Sequence, residues 1–388
     1  MNETTTAVQP FDMSLVQCGA RLRRSPFYEA EQRYGPKGYT VYNHTLFPIR
    51  YGDLEAEYWH LLNHVTLWDV AVERQVEISG PDGFRFTQLM TCRDLSKCEV
   101  GQGKYVLITA PDGGIVNDPV LLRLGENHFW LALADSDVLL YAKGLAVHAG
   151  MDVQIREPDV SPVQIQGPGS KDVVRDLFGE SILELRYYFF RETDLDGIPV
   201  VVTRTGWTSE VGYEIYLRDG SRGTELWERI MEAGRPYDIR PTGPSDIRRI
   251  EGGIFNYGAD MTIDNNPFEL GLGRLVDLDM GADFMGKDAL RRIKQEGVRR
   301  RIAGIEIEGD RLGFNTERWP VRTDGEVVGR VTSAIYSPRL ERNIGYAWLP
   351  VELSGPGTGL WVETPHGTVG ATVVPMPFVD PTKEIPKS

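Results

Sequence analysis

Apolar and polar residues recur along this chain with two different periods. Asp53–Leu67 shows the period of a helix, whereas Val72–Ile78 alternates as a strand before the turn Gly80–Gly83 opens a second helix that runs through Met90. Helices and strands are therefore mixed in order along the chain. This mixture predicts an α+β fold.

Short strands with tight turns come next. Lys104–Thr109 and Asp118–Arg123 flank the turn Ala110–Gly114, and Phe129–Leu133 follows after a similarly short connection, so antiparallel pairing is expected. A further strand, Val163–Gln166, ends at a Gly-Pro-Gly turn that opens a helix. It repeats the strand, Gly-Pro turn and helix found about ninety residues earlier, and such a repetition predicts two similar α+β halves.

The pattern changes after about residue 290, where short strands recur every eight to twelve residues or so. Turns containing glycine separate them at 323–325, 354–357 and 365–367. This spacing predicts a small all-β barrel or sandwich at the C-terminus. The basic run that ends at Arg301 is expected to form one face of a helix and the connector that precedes this unit.

Composition limits the classes of function. The chain has 388 residues, of which 41% are hydrophobic and 10% aromatic, so it can bury a large core and should contain two or three domains. Its formal net charge of −14 argues against general nucleic-acid or anionic-membrane binding, because phosphate affinity depends on an excess of Lys and Arg. No apolar run is long enough to span a membrane.

Cysteine and histidine usage gives little support for disulfides or metals. Cys18, Cys92 and Cys98 are too few and too irregularly spaced for a disulfide framework or a zinc site, which favours a reducing, cytoplasmic setting. The pair His60 and His64 lacks the glutamate of a zinc-protease helix, so no metal is expected. The polar first ten residues are predicted to be neither a signal peptide nor an anchor.

The segment Gly206–Tyr216 carries the strongest chemical signal. It is a turn followed by a short alternating strand, and Glu214 lies between Tyr213 and Ile215. In a half-buried strand, this carboxylate costs desolvation free energy unless it meets donors such as the adjacent N–H groups of a flat heterocycle. The competing interpretation is a glutamate on the wet face of an edge strand.

Asp118 is the second candidate. It leads a predicted strand, and Pro119 removes the backbone donor that could otherwise bind it, so its carboxylate could be kept free for a ligand. Tyr105, on the partner strand, is expected to face the same cavity. The alternatives are a turn or solvent-facing aspartate and an ordinary hairpin tyrosine.

Six motifs, taken together, resemble the folate-dependent aminomethyltransferase (glycine-cleavage T-protein) superfamily and cover nearly the whole chain in order. They are Gly113–Asp118, Arg204–Glu210 with Tyr213–Ile215, Arg249–Gly253 with Tyr257–Gly258, Phe284–Leu290, Gly329–Ser333 and Met376–Val379. Four further segments are similar to its dimethylsulfoniopropionate demethylase branch. These are Tyr39–Leu46, Trp68–Val76, Arg93–Ser96 and Ala134–Asp137.

The resemblance implies a three-domain, cloverleaf-like fold with a C-terminal β-barrel and a central channel for tetrahydrofolate. It implies that Glu214 binds the pterin edge in a bidentate, charge-assisted contact and that Asp118 lies near the reacting nitrogen. Tyr105 and Trp207 are then aromatic residues of the folate channel, and Tyr187 is a further candidate for contact with a cationic substrate.

Domain boundaries follow from the same resemblance. The first α+β domain is expected to combine residues 1–52 with 150–288, the second to span 53–149, and the barrel to span 289–388.

The chain also departs from the superfamily pattern. An Asn, an Arg and a Tyr of the aminomethyltransferases are replaced by Ala134, Ser245 and Leu353, which argues against the glycine-cleavage reaction and leaves the folate glutamate tail without an assigned contact. The demethylase branch usually carries Ser-Lys-Gln-Gly-Gly-Phe-Glu where this chain has Thr208–Glu214. Substrate identity is therefore less well determined than reaction class.

The expected function is a tetrahydrofolate-dependent enzyme that removes a methyl group from a small onium zwitterion such as dimethylsulfoniopropionate. The reaction needs no metal and no covalent nucleophile, because its main requirement is to align the donor with N5 of the pterin. No lipoyl carrier protein, nucleic acid or membrane partner is expected. The alternatives are an aminomethyltransferase or amine demethylase, and a folate-binding regulator without turnover.

Overall fold

The structure is a computed structural model that describes residues 19–388, so the predictions for the first ten residues and for Cys18 lie outside the described residues. Its helices are α1 Tyr28–Glu31, α2 Leu54–Asn63, α3 Gly83–Met90, α4 Val138–Ala149, α5 Ser170–Phe178, α6 Gly223–Gly234, α7 Asp246–Glu251 and α8 Lys287–Glu296. Its strands are β1 Gly38–Tyr42, β2 Thr45–Arg50, β3 Val65–Asp69, β4 Gln75–Ser79, β5 Gln102–Tyr105, β6 Ile108–Thr109, β7 Ile115–Asn117, β8 Val120–Gly125, β9 His128–Ala132, β10 Gln154–Arg156, β11 Ser161–Gln166, β12 Phe190–Leu195, β13 Ile198–Thr203, β14 Gly212–Leu217, β15 Ile239–Pro241, β16 Arg300–Ile307, β17 Trp319–Thr323, β18 Glu326–Ser337, β19 Arg342–Pro350, β20 Gly359–Thr364 and β21 Gly367–Val374.

A six-stranded sheet in the order β12-β13-β14-β11-β3-β15 forms the first unit. All its neighbouring strands are antiparallel except β15, which runs parallel to β3. Helices α1, α5 and α6 cover one face, where Ala30, Val173 and Trp227 pack on strand residues such as Ile215. The strand that carries Glu214 therefore lies inside the sheet, with a neighbour on each side.

A five-stranded sheet in the order β10-β4-β9-β8-β5 forms the second unit and is covered by α3 and α4. The repetition seen in the sequence corresponds to one local structure formed twice, since β4 leads into α3 and β11 leads into α5. Gly80 and Gly167 end the two strands with φ of 112° and 111°. A Cβ on Gly167 would lie 2.6 Å from His64 O, so both the backbone conformation and the packing require glycine there.

The C-terminal residues form a closed six-stranded barrel, β16-β19-β18-β17-β20-β21, in which β21 pairs back onto β16. The predicted turns fall between β17 and β18, β19 and β20, and β20 and β21. The α+β fold class and the C-terminal barrel are thus confirmed. A separate apolar cluster that includes Tyr58, Ile250, Leu290 and Tyr346 joins α2, α7, α8 and the barrel at the centre of the molecule.

Two predicted boundaries are wrong. The helix predicted over Asp53–Leu67 ends at Asn63, because Val65–Asp69 is a strand buried along its whole length and its continuous apolar run resembles a helix face in the sequence. The strand predicted from Val72 begins only at Gln75.

The proposed domain boundaries remain a proposal. Strand β3, which they place in the second domain, pairs within the six-stranded sheet, and this pairing favours assigning α2 and β3 to the first unit. Among residues 19–388, no helix is both long and apolar enough to cross a membrane.

Candidate functional site

Glu214 lies on the internal strand β14 and is only 4% exposed. The interpretation of Glu214 as a glutamate on the wet face of an edge strand is therefore wrong, and the strand is buried on both faces rather than half-buried. Glu214 Oε1 accepts a hydrogen bond from Gln164 Nε2 (2.7 Å), and Oε2 accepts from Thr205 Oγ1 (2.5 Å) and Tyr216 OH (3.0 Å). Burial raises the pKa of Glu214, and these donors act in the opposite direction.

This arrangement limits how Glu214 can bind a ligand. Oε2 already has two close donors, whereas Oε1 has one and can accept another. A bidentate contact therefore requires a hydroxyl to turn away from Oε2. Within the described residues, Gln164 Oε1 is a buried acceptor without a hydrogen-bond partner. Gln164 and Glu214 thus present two adjacent acceptors, which suits a ligand edge with two neighbouring N–H groups.

Gln164 was not identified in the sequence. It faces Glu214 across the β11–β14 pair, and this register is set by tertiary pairing. In the sequence, the indication that Gln164 could be a site residue is that Gln164 and Gln166 are polar residues within an otherwise apolar strand.

Asp118 lies in the break between β7 and β8 rather than at the head of a strand, as had been predicted. Tyr105 on β5 donates a hydrogen bond from its hydroxyl to Asp118 Oδ2 (2.9 Å), so the predicted proximity of these residues is confirmed. Asp118 Oδ1 is buried and has no hydrogen-bond partner among residues 19–388. Desolvation raises the pKa of Asp118 to about 7, although the Tyr105 hydrogen bond opposes this rise.

A cavity of about 510 Å³ lies between the β1–β2 hairpin, α2, β3 and the segment that leads into α7, and Glu214, Asp118 and Tyr105 are not among its lining residues. Aromatic side chains form much of its wall, including Tyr42, Trp68, Trp207 and Phe314. Gln164 also lines it, which connects the cavity to the acceptor pair.

The structure separates the two remaining aromatic candidates. Trp207 lines the cavity, as expected for a channel residue, and its ring centroid lies 5.9 Å from the Arg249 guanidinium. Tyr187 is not among the cavity-lining residues. Burial, and next the negative charge of Glu214, raise the pKa of Tyr187 to about 12.

Glu73 is the principal site residue that sequence reasoning missed. It follows β3, and it lines the cavity. Among residues 19–388, its carboxylate forms neither an ion pair nor a side-chain hydrogen bond. Desolvation, followed by the negative charges of Glu214 and Asp118, raises the pKa of Glu73 well above its ordinary value. The negative charges of Glu214 and Asp118 therefore repel that of Glu73 at this site.

The positions that depart from the superfamily pattern have different surroundings. Ser245 lines the cavity and caps α7 by accepting a hydrogen bond from Arg248 N (3.2 Å), whereas Leu353 lies in the turn after β19 and does not line the cavity. Ala134 O accepts the Asn117 amide (2.9 Å). Glu210, in the divergent Thr208–Glu214 stretch, pairs with buried Arg248 (2.6 Å).

One cluster in the described part of the chain has the composition of a metal site. His60, His64 and Asp238 offer ligand atoms within 4.8 Å of one another, and Asp238 is far from the two histidines in the sequence. The two imidazole rings are stacked, with centroids 4.7 Å apart, so they must rotate before both can bind one ion. Arg240 also pairs with Asp238 (2.8 Å) and would compete with a cation.

Comparison with known proteins agrees with this architecture. Residues 14–280 match the family described as the GCVT N-terminal domain, and residues 300–380 match the glycine cleavage T-protein C-terminal barrel domain. The structure is similar to that of glycine cleavage system aminomethyltransferase T from Bartonella henselae, with a TM-score of 0.84 and 24% identity, covering 92% of this chain and 98% of that chain. At this identity the similarity shows a shared fold alone.

Two curated relatives align over almost their full length. The chain is 40% identical over 353 residues to dimethylsulfoniopropionate demethylase DmdA of Ruegeria pomeroyi, which covers 91% of this chain and 96% of that protein. It is 32% identical over 362 residues to an aminomethyltransferase of Bacillus subtilis, which covers 92% and 99%. The resemblance recognised from the six motifs is confirmed. This chain therefore belongs to the glycine cleavage T-protein family of aminomethyltransferases.

Proposed function

We propose that this protein transfers a methyl group from a small onium zwitterion of the dimethylsulfoniopropionate type to N5 of tetrahydrofolate. Family membership makes the chain a tetrahydrofolate-dependent transferase, and the identity of the methyl donor is the proposal. The observation that carries it is the cavity, which is lined by aromatic residues and by two carboxylates without cationic partners in the described part of the chain, Glu57 and Glu73.

The residues around Glu214 suit the pterin. Glu214 Oε1 and the partnerless Gln164 Oε1 are adjacent acceptors that could hold two neighbouring N–H groups of the ring. Thr205 and Tyr216 hold Glu214 in place from the opposite side. These contacts would fix the ring orientation, which is the main requirement for an in-line methyl transfer.

Asp118 is proposed to act at the reacting centre. Tetrahydrofolate, when bound, supplies N5 as the methyl acceptor. When the methyl group moves from sulfur to N5, the rest of the donor departs as a neutral thioether, and the methylated nitrogen must then lose its proton. Asp118 has a partnerless Oδ1 and a pKa of about 7, so its carboxylate can stabilise the developing positive charge and accept that proton. Tyr105 orients this carboxylate through the hydrogen bond to Oδ2.

Aromatic residues are proposed to hold the donor. Trp207, Tyr42 and Trp68 line the cavity and can face an onium group. Tyr187, first considered for the same role, is better placed to contact the folate side. The displacement as written uses no metal and no lipoyl carrier protein. The sparse, buried and unpaired Cys92 and Cys98 favour a reducing, cytoplasmic setting.

The second candidate is an aminomethyltransferase or amine demethylase, and the 32% identity to the Bacillus subtilis aminomethyltransferase supports it. The two reactions differ in their folate product, because simple methyl displacement gives 5-methyl-tetrahydrofolate, whereas transfer of an aminomethyl carbon with release of ammonia gives the 5,10-methylene form. A non-catalytic folate-binding regulator would bind tetrahydrofolate and give neither product.

The purified protein should therefore be incubated with tetrahydrofolate and a panel of sulfonium and quaternary ammonium compounds, with both folate products quantified. A parallel reaction should offer an aminomethyl-lipoyl protein as the donor. We expect 5-methyl-tetrahydrofolate from a free onium zwitterion. Formation of methylene-tetrahydrofolate alone, or activity only with the lipoyl protein, would establish the second candidate instead.

A further inference from the structure

Within residues 19–388, Glu73 is the one cavity-lining carboxylate that has neither a hydrogen-bond partner nor an ion-pair partner. Glu57 also lines the cavity, but its carboxylate accepts hydrogen bonds from Tyr51 N (2.7 Å), Gly52 N (2.5 Å) and Thr242 Oγ1 (2.5 Å). Asp246 pairs with Arg249 (2.6 Å). In the described part of the chain, no such partner reaches the carboxylate of Glu73.

Glu73 is half-buried in the cavity wall, so its charge is partly desolvated and no protein partner offsets that cost. Most buried carboxylates in proteins are paired with a cation or bound by several donors, because desolvation of a charge is expensive. Glu73 is additionally repelled by Glu214 and Asp118, and its pKa is raised accordingly. A ligand cation beside Glu73 would offset both the desolvation and the repulsion.

The surroundings of Glu73 independently indicate a ligand. The fully buried Gln164 lines the same cavity and has a partnerless Oε1, so polar groups of the wall lack protein partners at more than one point. Trp68 and Trp207 add two indole faces. A carboxylate combined with aromatic faces matches the needs of a methylated sulfonium or ammonium group, which is cationic but has no N–H or O–H to donate.

We infer that Glu73 is the counter-charge that binds the onium centre of the methyl donor and makes this protein select an onium zwitterion over a carboxylate of the same shape that lacks the onium charge. This inference rests on the proposed function for the identity of the ligand class. It assigns Glu73 to donor binding, whereas Glu214 and Gln164 are assigned to the folate.

Two matched pairs of ligands test it. Dimethylsulfoniopropionate and 4-methylpentanoate have nearly the same shape but differ in the onium charge, and glycine betaine and 3,3-dimethylbutanoate form a second such pair. Dissociation constants should be measured by calorimetry without tetrahydrofolate, so that no turnover occurs. We expect the wild-type protein to bind at least one onium compound about tenfold or more tightly than its carbon analogue, which keeps the carboxylate but lacks the onium charge.

Three variants complete the experiment. Glu73→Gln should reduce this preference to less than about threefold, and Glu73→Asp should retain part of it because the charge remains. Glu55→Gln, which removes an exposed carboxylate of α2, controls for net charge and should keep the full preference. The tetrahydrofolate dissociation constant of all three variants should match that of the wild type, which also verifies folding.

The outcomes separate this inference from the proposed function. An unchanged onium preference in Glu73→Gln, or the absence of any preference in the wild type, overturns the role of Glu73. Loss of tetrahydrofolate affinity in Glu73→Gln with onium binding intact would assign Glu73 to the folate and also overturns it. Failure of the wild type to form 5-methyl-tetrahydrofolate, with the binding preference present, would reject the proposed reaction but retain Glu73 as a cation-binding residue.

Discussion

Replacement of Asp118 by asparagine should make the protein more stable at alkaline pH and much less active. Asp118 has an ordinary pKa of 3.8 and a pKa of about 7 in the folded protein, because burial disfavours its charged form. Between these values the folded state holds a proton that the unfolded state has released. The contribution of Asp118 to stability is therefore fully present below pH 3.8 and is lost as the pH rises through about 7.

The size of this effect follows from the difference in pKa. One pKa unit corresponds to about 1.4 kcal/mol, so raising the pH from 5 to 8 removes about 3 kcal/mol of the contribution that Asp118 makes. Asparagine has nearly the same shape and does not ionise, and its carbonyl can still accept the Tyr105 hydroxyl. The stability of Asp118→Asn relative to wild type should therefore increase by about 3 kcal/mol over this interval.

Urea unfolding of the two proteins at pH 5 and pH 8 measures this difference. Glu55→Gln is the control, since an exposed carboxylate should give no such change with pH. A relative stability of Asp118→Asn that is the same at both pH values would refute the argument that Asp118 is buried without a compensating charge.

Activity provides a second test of the same residue. If the Asp118 carboxylate accepts the proton from the methylated nitrogen, kcat/KM should rise with pH through about 7, and Asp118→Asn should lower it at least about tenfold. Tyr105→Phe removes a hydrogen bond that favours the carboxylate, so the rise should move to higher pH. A rise at the same pH in Tyr105→Phe would contradict this assignment.

Three further predictions follow from buried groups. Glu214→Gln should weaken tetrahydrofolate binding by about 1.5–3 kcal/mol in calorimetry while the far-ultraviolet circular dichroism stays the same, and equal affinity would remove Glu214 from the folate site. Arg249→Met should lower the free energy of unfolding by about 3–5 kcal/mol. The reason is that the fully buried carboxylate of Asp260 lies 3.0 Å from the Arg249 guanidinium and would lose its cation. An unchanged urea midpoint would show that other groups compensate the charge of Asp260. Cys92 is fully buried, and burial raises the pKa of its thiol to about 12. Iodoacetamide should therefore modify Cys92 at pH 8 only after denaturation. Detection of alkylated Cys92 in the native protein by mass spectrometry would contradict this prediction.

Local patterns in the sequence are sufficient to predict much of the fold. The period-2 segments after residue 290, with their glycine turns, correctly predicted the C-terminal barrel, because strand alternation and turn chemistry depend on neighbouring residues. The repeated strand, Gly-Pro turn and helix predicted two related α+β halves for the same reason, and Gly80 and Gly167 indeed share one backbone conformation. The pairing of Tyr105 with Asp118 was also predictable, since both belong to one short antiparallel region.

Other features depend on partners that are distant in the sequence. The sequence pattern predicts the wrong end for α2, because β3 is buried on both faces and its continuous apolar run resembles a helix face. Pairing with β11 and β15, which are distant in the sequence, makes this segment a strand. Burial of Glu214 on both faces likewise results from its position inside the six-stranded sheet, and its contact with Gln164 results from the register of β11 against β14.

The sequence by itself determined the fold class and the family, and it also led to the prediction that Glu214 and Asp118 are site residues. Only the tertiary structure decided that Glu73 lines the same cavity as Gln164 and Trp207, and that it is repelled by Glu214 and Asp118. The physical reason is that periodicity reports on local backbone conformation, whereas the desolvation and electrostatics of a site depend on side chains brought together from separate sheets.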